Sequence, residues 1–128
     1  MDDTRVKKGE ERLRQLNYAN SIGPKLAEIS PELNRYRKEF AFGDVHSRPG
    51  LSMRDHELVI LSGLCALGYA QEELKSHINL GLNAGLSRQE ILEIFIQLAV
   101  YAGFPAAVNA TFIAKDVFDE RDAKGIKQ

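Results

Sequence analysis

Apolar positions three and four residues apart recur along most of the chain. No stretch alternates with period two, so the pattern predicts an all-α fold, a compact bundle of six to seven short helices. The most informative stretch runs from Leu51 to Gly85 and contains two helical patterns back to back. On the first, Met53, Glu57, Ile60, Leu61 and Leu64 share one face, and on the second Leu74, His77, Ile78 and Gly81 do the same. Glu57 and His77 therefore stand inside apolar stripes. Glu73, one turn before His77, shares its face. A carboxylate and an imidazole turned toward an interior are costly to bury without partners, which makes them the first candidates for chemistry.

The remaining elements follow in order. Residues 4–20 read as a polar amphipathic helix with Val6, Leu13, Leu16 and Tyr18 on a thin apolar side, placed outside the core or crossing to another subunit. Residues 21–24, with Gly23 and Pro24, read as a turn, and 25–29 as a short helical turn. Ser30 and Pro31 form a cap and first-turn signal for a helix through about Phe42, with Leu33, Tyr36, Arg37 and Phe40 facing inward. Residues 42–51 read as a loop carrying His46 and Arg48. Ser52, with Asp55 as a capping partner, opens a helix to about Leu67, and Gly68 ends it. Another helix begins near Gln71 and ends at Gly85. Ser87 and Glu90 form a capping box for a helix over 88–102, stopped by Gly103. Pro105 starts the last helix, whose small residues Ala106, Ala107, Asn109 and Ala110 predict a central position, and the tail from Arg121 is expected to fray. Helices 52–67 and 88–102 are apolar over more than half their circumference. That predicts burial on two sides, in the core and at a subunit interface.

A length of 128 residues fits one domain, with its core at about 35–120 and the first helix peripheral. The formal net charge of -1 and the scattered basic residues give no reason to expect a nucleic-acid or membrane partner. Cys65 is the one cysteine, which excludes an internal disulfide, a CxxC redox pair and a cysteine-rich zinc site. With no apolar signal segment at the start and no apolar run long enough to span a bilayer, a cytoplasmic protein is the expectation.

Five features in fixed order carry a resemblance. They are RPGLS at 48–52, the apolar helix after it, EELKSH at 72–77, NAGLSRQEI at 83–91 and QLAVYAGFPAAVNA at 97–110. Together they resemble the carboxymuconolactone decarboxylase family, and the RPGLS loop leans toward its decarboxylase branch. The resemblance implies a small all-helical protein that assembles into rings, as a trimer or hexamer. It also implies an activity in aromatic catabolism: removal of carbon dioxide from γ-carboxymuconolactone to leave β-ketoadipate enol-lactone, with no metal or organic cofactor. The family's other branch resembles alkylhydroperoxidase D, which carries CxxC four residues before a histidine and a glutamate a helix earlier. Carried onto this chain, the histidine is His77 and the glutamate Glu57, while the cysteine positions hold Ala70 and Glu73. The absent thiol pair argues against peroxidase chemistry, which needs an attacking and a resolving thiol.

A cofactor-free decarboxylase needs an acceptor for the electron pair that carbon dioxide leaves behind, a proton source, and cations for the substrate's carboxylates. His77 is the candidate proton donor or carbonyl polariser. Glu57 or Glu73 would fix its tautomer and hold its charged form. Arg48 and His46 are the candidates to grip a carboxylate of the lactone. Each has a plainer reading. His77 can be a core histidine bonded to a backbone carbonyl or to Glu73, Glu57 a partner of Arg54, and Arg48 a clamp on its own loop. His46 and His56 can be surface residues, and Cys65 a small core residue. Tyr101 and Asn109 can line an interior cavity or be satisfied core polar groups. No HxxxH or HxH spacing supports a metal site. Two other functions fit the same scaffold: a redox relative that has lost its thiols, and a non-enzymatic oligomeric binding protein.

Overall fold

The structure is a computed structural model, which describes residues 3–17 and 22–128. Among these residues there are seven α-helices and one π-helix, and no strand. The α-helices are α1 (Thr4–Gln15), α2 (Ile22–Ile29), α3 (Pro31–Tyr36), α4 (Met53–Leu67), α5 (Gln71–Asn83), α6 (Arg88–Ala102) and α7 (Phe104–Ala123). The π-helix, Arg37–Val45, continues directly from α3. The chain divides into two units, residues 1–53 and 54–128. None of the described helices is long and apolar enough to cross a membrane.

In the first unit α1 packs along the π-helix. Two glycines set how closely they approach. A Cβ on Gly9 would lie 1.9 Å from the Lys38 carbonyl oxygen, and one on Gly43 would lie 2.4 Å from that of Arg5. Only the missing side chains allow backbone to meet backbone there. Leu13, Leu16 and Phe42 are buried. Asn17, at φ 50°, turns the chain out of α1 after Leu16. The expected helix to 20 thus ends at Gln15, and its proposed apolar residue Tyr18 lies outside the described residues.

Several expectations for this unit are corrected. Gly23 and Pro24 lie inside α2 rather than in a turn, because a proline in a first helical turn gives up an N–H that had no helical acceptor. Ser30 does cap α3, its hydroxyl accepting from the Leu33 amide. Beyond Tyr36, however, the helix widens into the π form instead of continuing as α, and this changes which residues face inward. Leu33, Tyr36 and Phe40 are all more than half exposed, while Asn34, Phe42 and Gly43 are buried. Helical structure also runs to Val45, so the expected loop from 42 begins only at His46. The His46 amide donates to the Ala41 carbonyl, five residues back, which is the π pattern.

The second unit follows the sequence closely. Gly68 and Gly85 stand just beyond α4 and α5. The Ser87 hydroxyl accepts from the Glu90 amide while the Glu90 carboxylate accepts from the Ser87 amide, so the capping box of α6 is complete. Its core joins Leu61 and Cys65 of α4, Leu74 and Ile78 of α5, Ile91 and Phe95 of α6, and Ala110, Ala114 and Val117 of α7. Of the small residues expected to be central in α7, Ala107 and Ala110 are buried, while Ala106 is half-buried and Asn109 exposed. Two expectations fail here. Arg121 belongs to α7 and is buried, its guanidinium donating to Asn83 Oδ1 at 2.7 Å, so the helix is anchored there instead of fraying. Tyr101 is 80% exposed in the single chain rather than lining an interior cavity, whereas Asn109, though largely exposed, borders the small cavity beside Cys65. The outward faces of α6 and α7 carry Ile96, Val100, Tyr101, Phe104 and Phe112, each more than 60% exposed.

Candidate functional site

Glu57 stands in the second turn of α4 and His77 in the middle of α5. The apolar neighbours on their stripes, Leu61, Leu74 and Ile78, enter the same core, so packing the two stripes together carries both polar groups inward. Gly81, one turn after His77, keeps the helices close: a Cβ there would sit 3.2 Å from Leu61 Cδ1 and 3.8 Å from Glu57 Cβ. Glu57 is fully buried and His77 is 7% exposed. The His77 Nδ1–H donates to Glu57 Oε1 at 2.8 Å. On the other side of the ring, Nε2 lies 3.6 Å from Glu73 Oε2, and Glu73 is 42% exposed at its side chain. The three residues singled out from the stripes are therefore one cluster.

Burial alone would push the His77 pKa down. The hydrogen bonds and negative charges of Glu57 and Glu73 act the other way and win, raising it to about 9. At neutral pH the ring is an imidazolium, with one N–H committed to a buried carboxylate and the other directed at a half-exposed one. Arg54 does not compete for Glu57, since it pairs with Glu90 and Asp55. Both glutamates thus act on His77, which answers which of the two is its partner.

Cys65 behaves as a core residue. It is buried, burial pushes its thiol pKa up, and its Sγ lies 3.9 Å from the Ala106 carbonyl. A thiol held protonated is a poor nucleophile. A cavity of about 10 Å³ beside it, lined by Leu64, Gly68, Leu74 and Ala110 among others, has room for no more than a water.

The two candidate carboxylate-gripping residues belong to the first unit. Arg48 is exposed on the loop before α4. His46 is not the surface residue its loop position implied. It is 3% exposed, and its ring stacks on Phe42 with centroids 5.6 Å apart. Arg12 of α1 reaches it, Nη1 lying 3.2 Å from His46 Nδ1. Nothing in the sequence marks Arg12, because the contact spans 34 residues and depends on the crossing of α1 and the π-helix.

Comparison with known proteins agrees with this architecture. Residues 31–116 match the carboxymuconolactone decarboxylase family. A 4-carboxymuconolactone decarboxylase of Acinetobacter baylyi is 31% identical over 122 residues, which is 93% of this chain and 90% of that protein. A nitrosuccinic acid decarboxylase of Metarhizium robertsii is 33% identical over 87 residues, 68% of this chain and 60% of its own. An uncharacterized 15.0 kDa protein of Paracoccus denitrificans is 28% identical over 98 residues, covering 76% and 73%. With the family match spanning most of the chain and the Acinetobacter enzyme aligned along nearly all of it, this protein belongs to the carboxymuconolactone decarboxylase family.

Proposed function

We propose that this protein is a cofactor-free decarboxylase acting on a carboxylated lactone of the 4-carboxymuconolactone type, with His77 as its proton donor. The observation that carries the reading is the buried His77 imidazolium, held by Glu57 at 2.8 Å and facing Glu73 with its second nitrogen. The relatives support the reaction class, since two of them are decarboxylases. Their substrates share a logic. In the lactone the departing electron pair can pass through a ring double bond to a carbonyl, and in nitrosuccinic acid a nitro group can receive it.

In the proposed reaction the bond between the ring carbon and its carboxylate breaks and carbon dioxide leaves. The electron pair moves through the ring double bond to the lactone carbonyl oxygen, giving an enolate. A proton from His77 Nε2 then forms the C–H bond beside that carbonyl, and the enol-lactone results. Glu57 holds the ring orientation through Nδ1 and keeps the imidazolium charged until the proton is needed. Glu73, reaching solvent, returns a proton to the neutral ring. In the first unit, Arg48 is suited by its bidentate fork to grip a carboxylate. The exposed apolar side chains of α6 and α7 support a homo-oligomer, trimer or hexamer, in which a second copy covers them.

The test is carbon dioxide release from 4-carboxymuconolactone by the wild type and by His77→Gln. The wild type releases it, and the variant, still folded by circular dichroism, is slower by roughly 10²- to 10⁴-fold. Equal rates would remove His77 from the mechanism, and no release by either would reject the substrate.

A further inference from the structure

Among its described residues the first unit contains a cation without a carboxylate partner. Three of its arginines reach carboxylates: Arg5 pairs with Asp44, Arg14 with Glu11 and Arg35 with Glu39. Arg12 has no carboxylate partner among the described residues. It is partly buried, and among the described residues its one side-chain hydrogen bond runs from Nη1 to His46 Nδ1 at 3.2 Å. A guanidinium can only donate, so Nδ1 accepts and the ring proton sits on Nε2. Burial correspondingly pushes the Arg12 pKa down, with nothing opposing it. Taking a charge partly out of water without a partner is unfavourable, and chains seldom retain such a group idle.

The surroundings hold this guanidinium in place. His46 is buried and stacked on Phe42 at the end of the π-helix, so it cannot turn away from Arg12. The Arg37 guanidinium lies over the same Phe42 ring, 5.4 Å from its centroid, and adds positive potential to the cluster. Among the described residues the Nε and Nη2 donors of Arg12 have no hydrogen-bond partner, and neither is one of the buried unsatisfied side-chain atoms. They remain reachable, and together they form the edge of the fork that accepts a carboxylate in two parallel hydrogen bonds. The π-helix is itself a form concentrated at functional sites, and here it carries Arg37, Phe42 and Gly43.

We propose that Arg12, buttressed by His46, is a binding seat for a small organic carboxylate. The ligand's carboxylate takes the Nε/Nη2 edge, and His46 holds the guanidinium from behind through Nη1. This goes beyond the His77 chemistry, because it rests on residues of the first unit alone. The same carboxylate could come instead from an acidic side chain of a second copy, and the experiment separates the two sources.

The experiment is a nuclear magnetic resonance titration of the full chain with succinate, following the Arg12 Nε–H signal and the His46 ring nitrogens. A saturable shift at Arg12 is expected in the wild type. Arg12→Gln should weaken succinate affinity by roughly 10- to 100-fold, and Arg12→Lys, which keeps charge but loses the fork, by less. The assembled mass, measured alongside by light scattering, should be the same in all three proteins. No saturable shift at Arg12 in the wild type overturns the proposal, and that result does not depend on how any variant folds. Unaltered affinity in Arg12→Gln overturns it too. A smaller assembled mass for Arg12→Gln with no succinate site would assign the guanidinium to an interface between copies. Binding is read without turnover, so this result and the decarboxylation assay fail or succeed separately.

Discussion

Glu57→Gln replaces the buried carboxylate by an amide of the same shape that still offers an oxygen to His77 Nδ1, so it removes the charge and little else. In the wild type the His77 pKa is raised from 6.5 to about 9. Below pH 6.5 both folded and unfolded chains carry the proton, and the raised pKa contributes its full stabilisation, about 3 kcal/mol at ~1.4 kcal/mol per pKa unit. As pH rises from 6.5 toward 9 the unfolded chain gives up its proton first and the contribution declines. Above 9 it is gone. With glutamine at 57, burial still disfavours the imidazolium and only Glu73, at 3.6 Å and part-exposed, opposes it. The variant should therefore be less stable than wild type by about 3 kcal/mol at pH 6 and nearly equal to it at pH 9.5. The assay is urea unfolding of both proteins at one fixed concentration, at pH 6, 7.5 and 9.5, with comparison of midpoints at equal slope. Titrations elsewhere in the chain cancel in the difference. A wild-type-to-variant gap that stays constant across this range would refute the assignment of a charged His77–Glu57 pair.

Two other outcomes follow from the same geometry. The decarboxylation rate should be level through neutral pH and fall above about pH 9, as the His77 imidazolium is lost; a rate that rises through that region would mean that neutral His77 is the active form. Gly9→Ala brings a methyl group to 1.9 Å from the Lys38 carbonyl oxygen. The helix preference for alanine, about 1 kcal/mol, is outweighed by forcing α1 off the π-helix, so the urea midpoint should fall by the equivalent of roughly 1–3 kcal/mol. A stabilised variant would show that the two helices do not cross so closely.

The Glu57 and His77 half of the candidate site was legible because its evidence is local. Glu57 and His77 interrupt apolar stripes at helical spacing, and a titratable group in such a stripe is drawn inside with its neighbours. The partner of His77 was not legible. Glu73 is four residues away on the same helix, while Glu57 is twenty away, and only the packing of α4 on α5 over Gly81 showed that both reach the ring. The same limit hid Arg12, whose position beside His46 follows from a crossing made possible by Gly9 and Gly43.

By itself the sequence determined the all-helical class, the boundaries of α4 to α6 and the start of α7 to within a residue or two, the capping box at Ser87 and Glu90, the central place of Ala107 and Ala110 in α7, and the family. Caps, glycine stops and apolar periodicity act within a few residues and keep their meaning in any surroundings. Only the tertiary structure decided the π-helical turn after Tyr36, the outward position of Leu33 and Phe40, the burial of His46 and Arg121, and the protonated state of His77. Those depend on which backbone passes beside which, and on the dielectric and charges that meet there, and such contacts between distant residues leave no periodic trace along the chain.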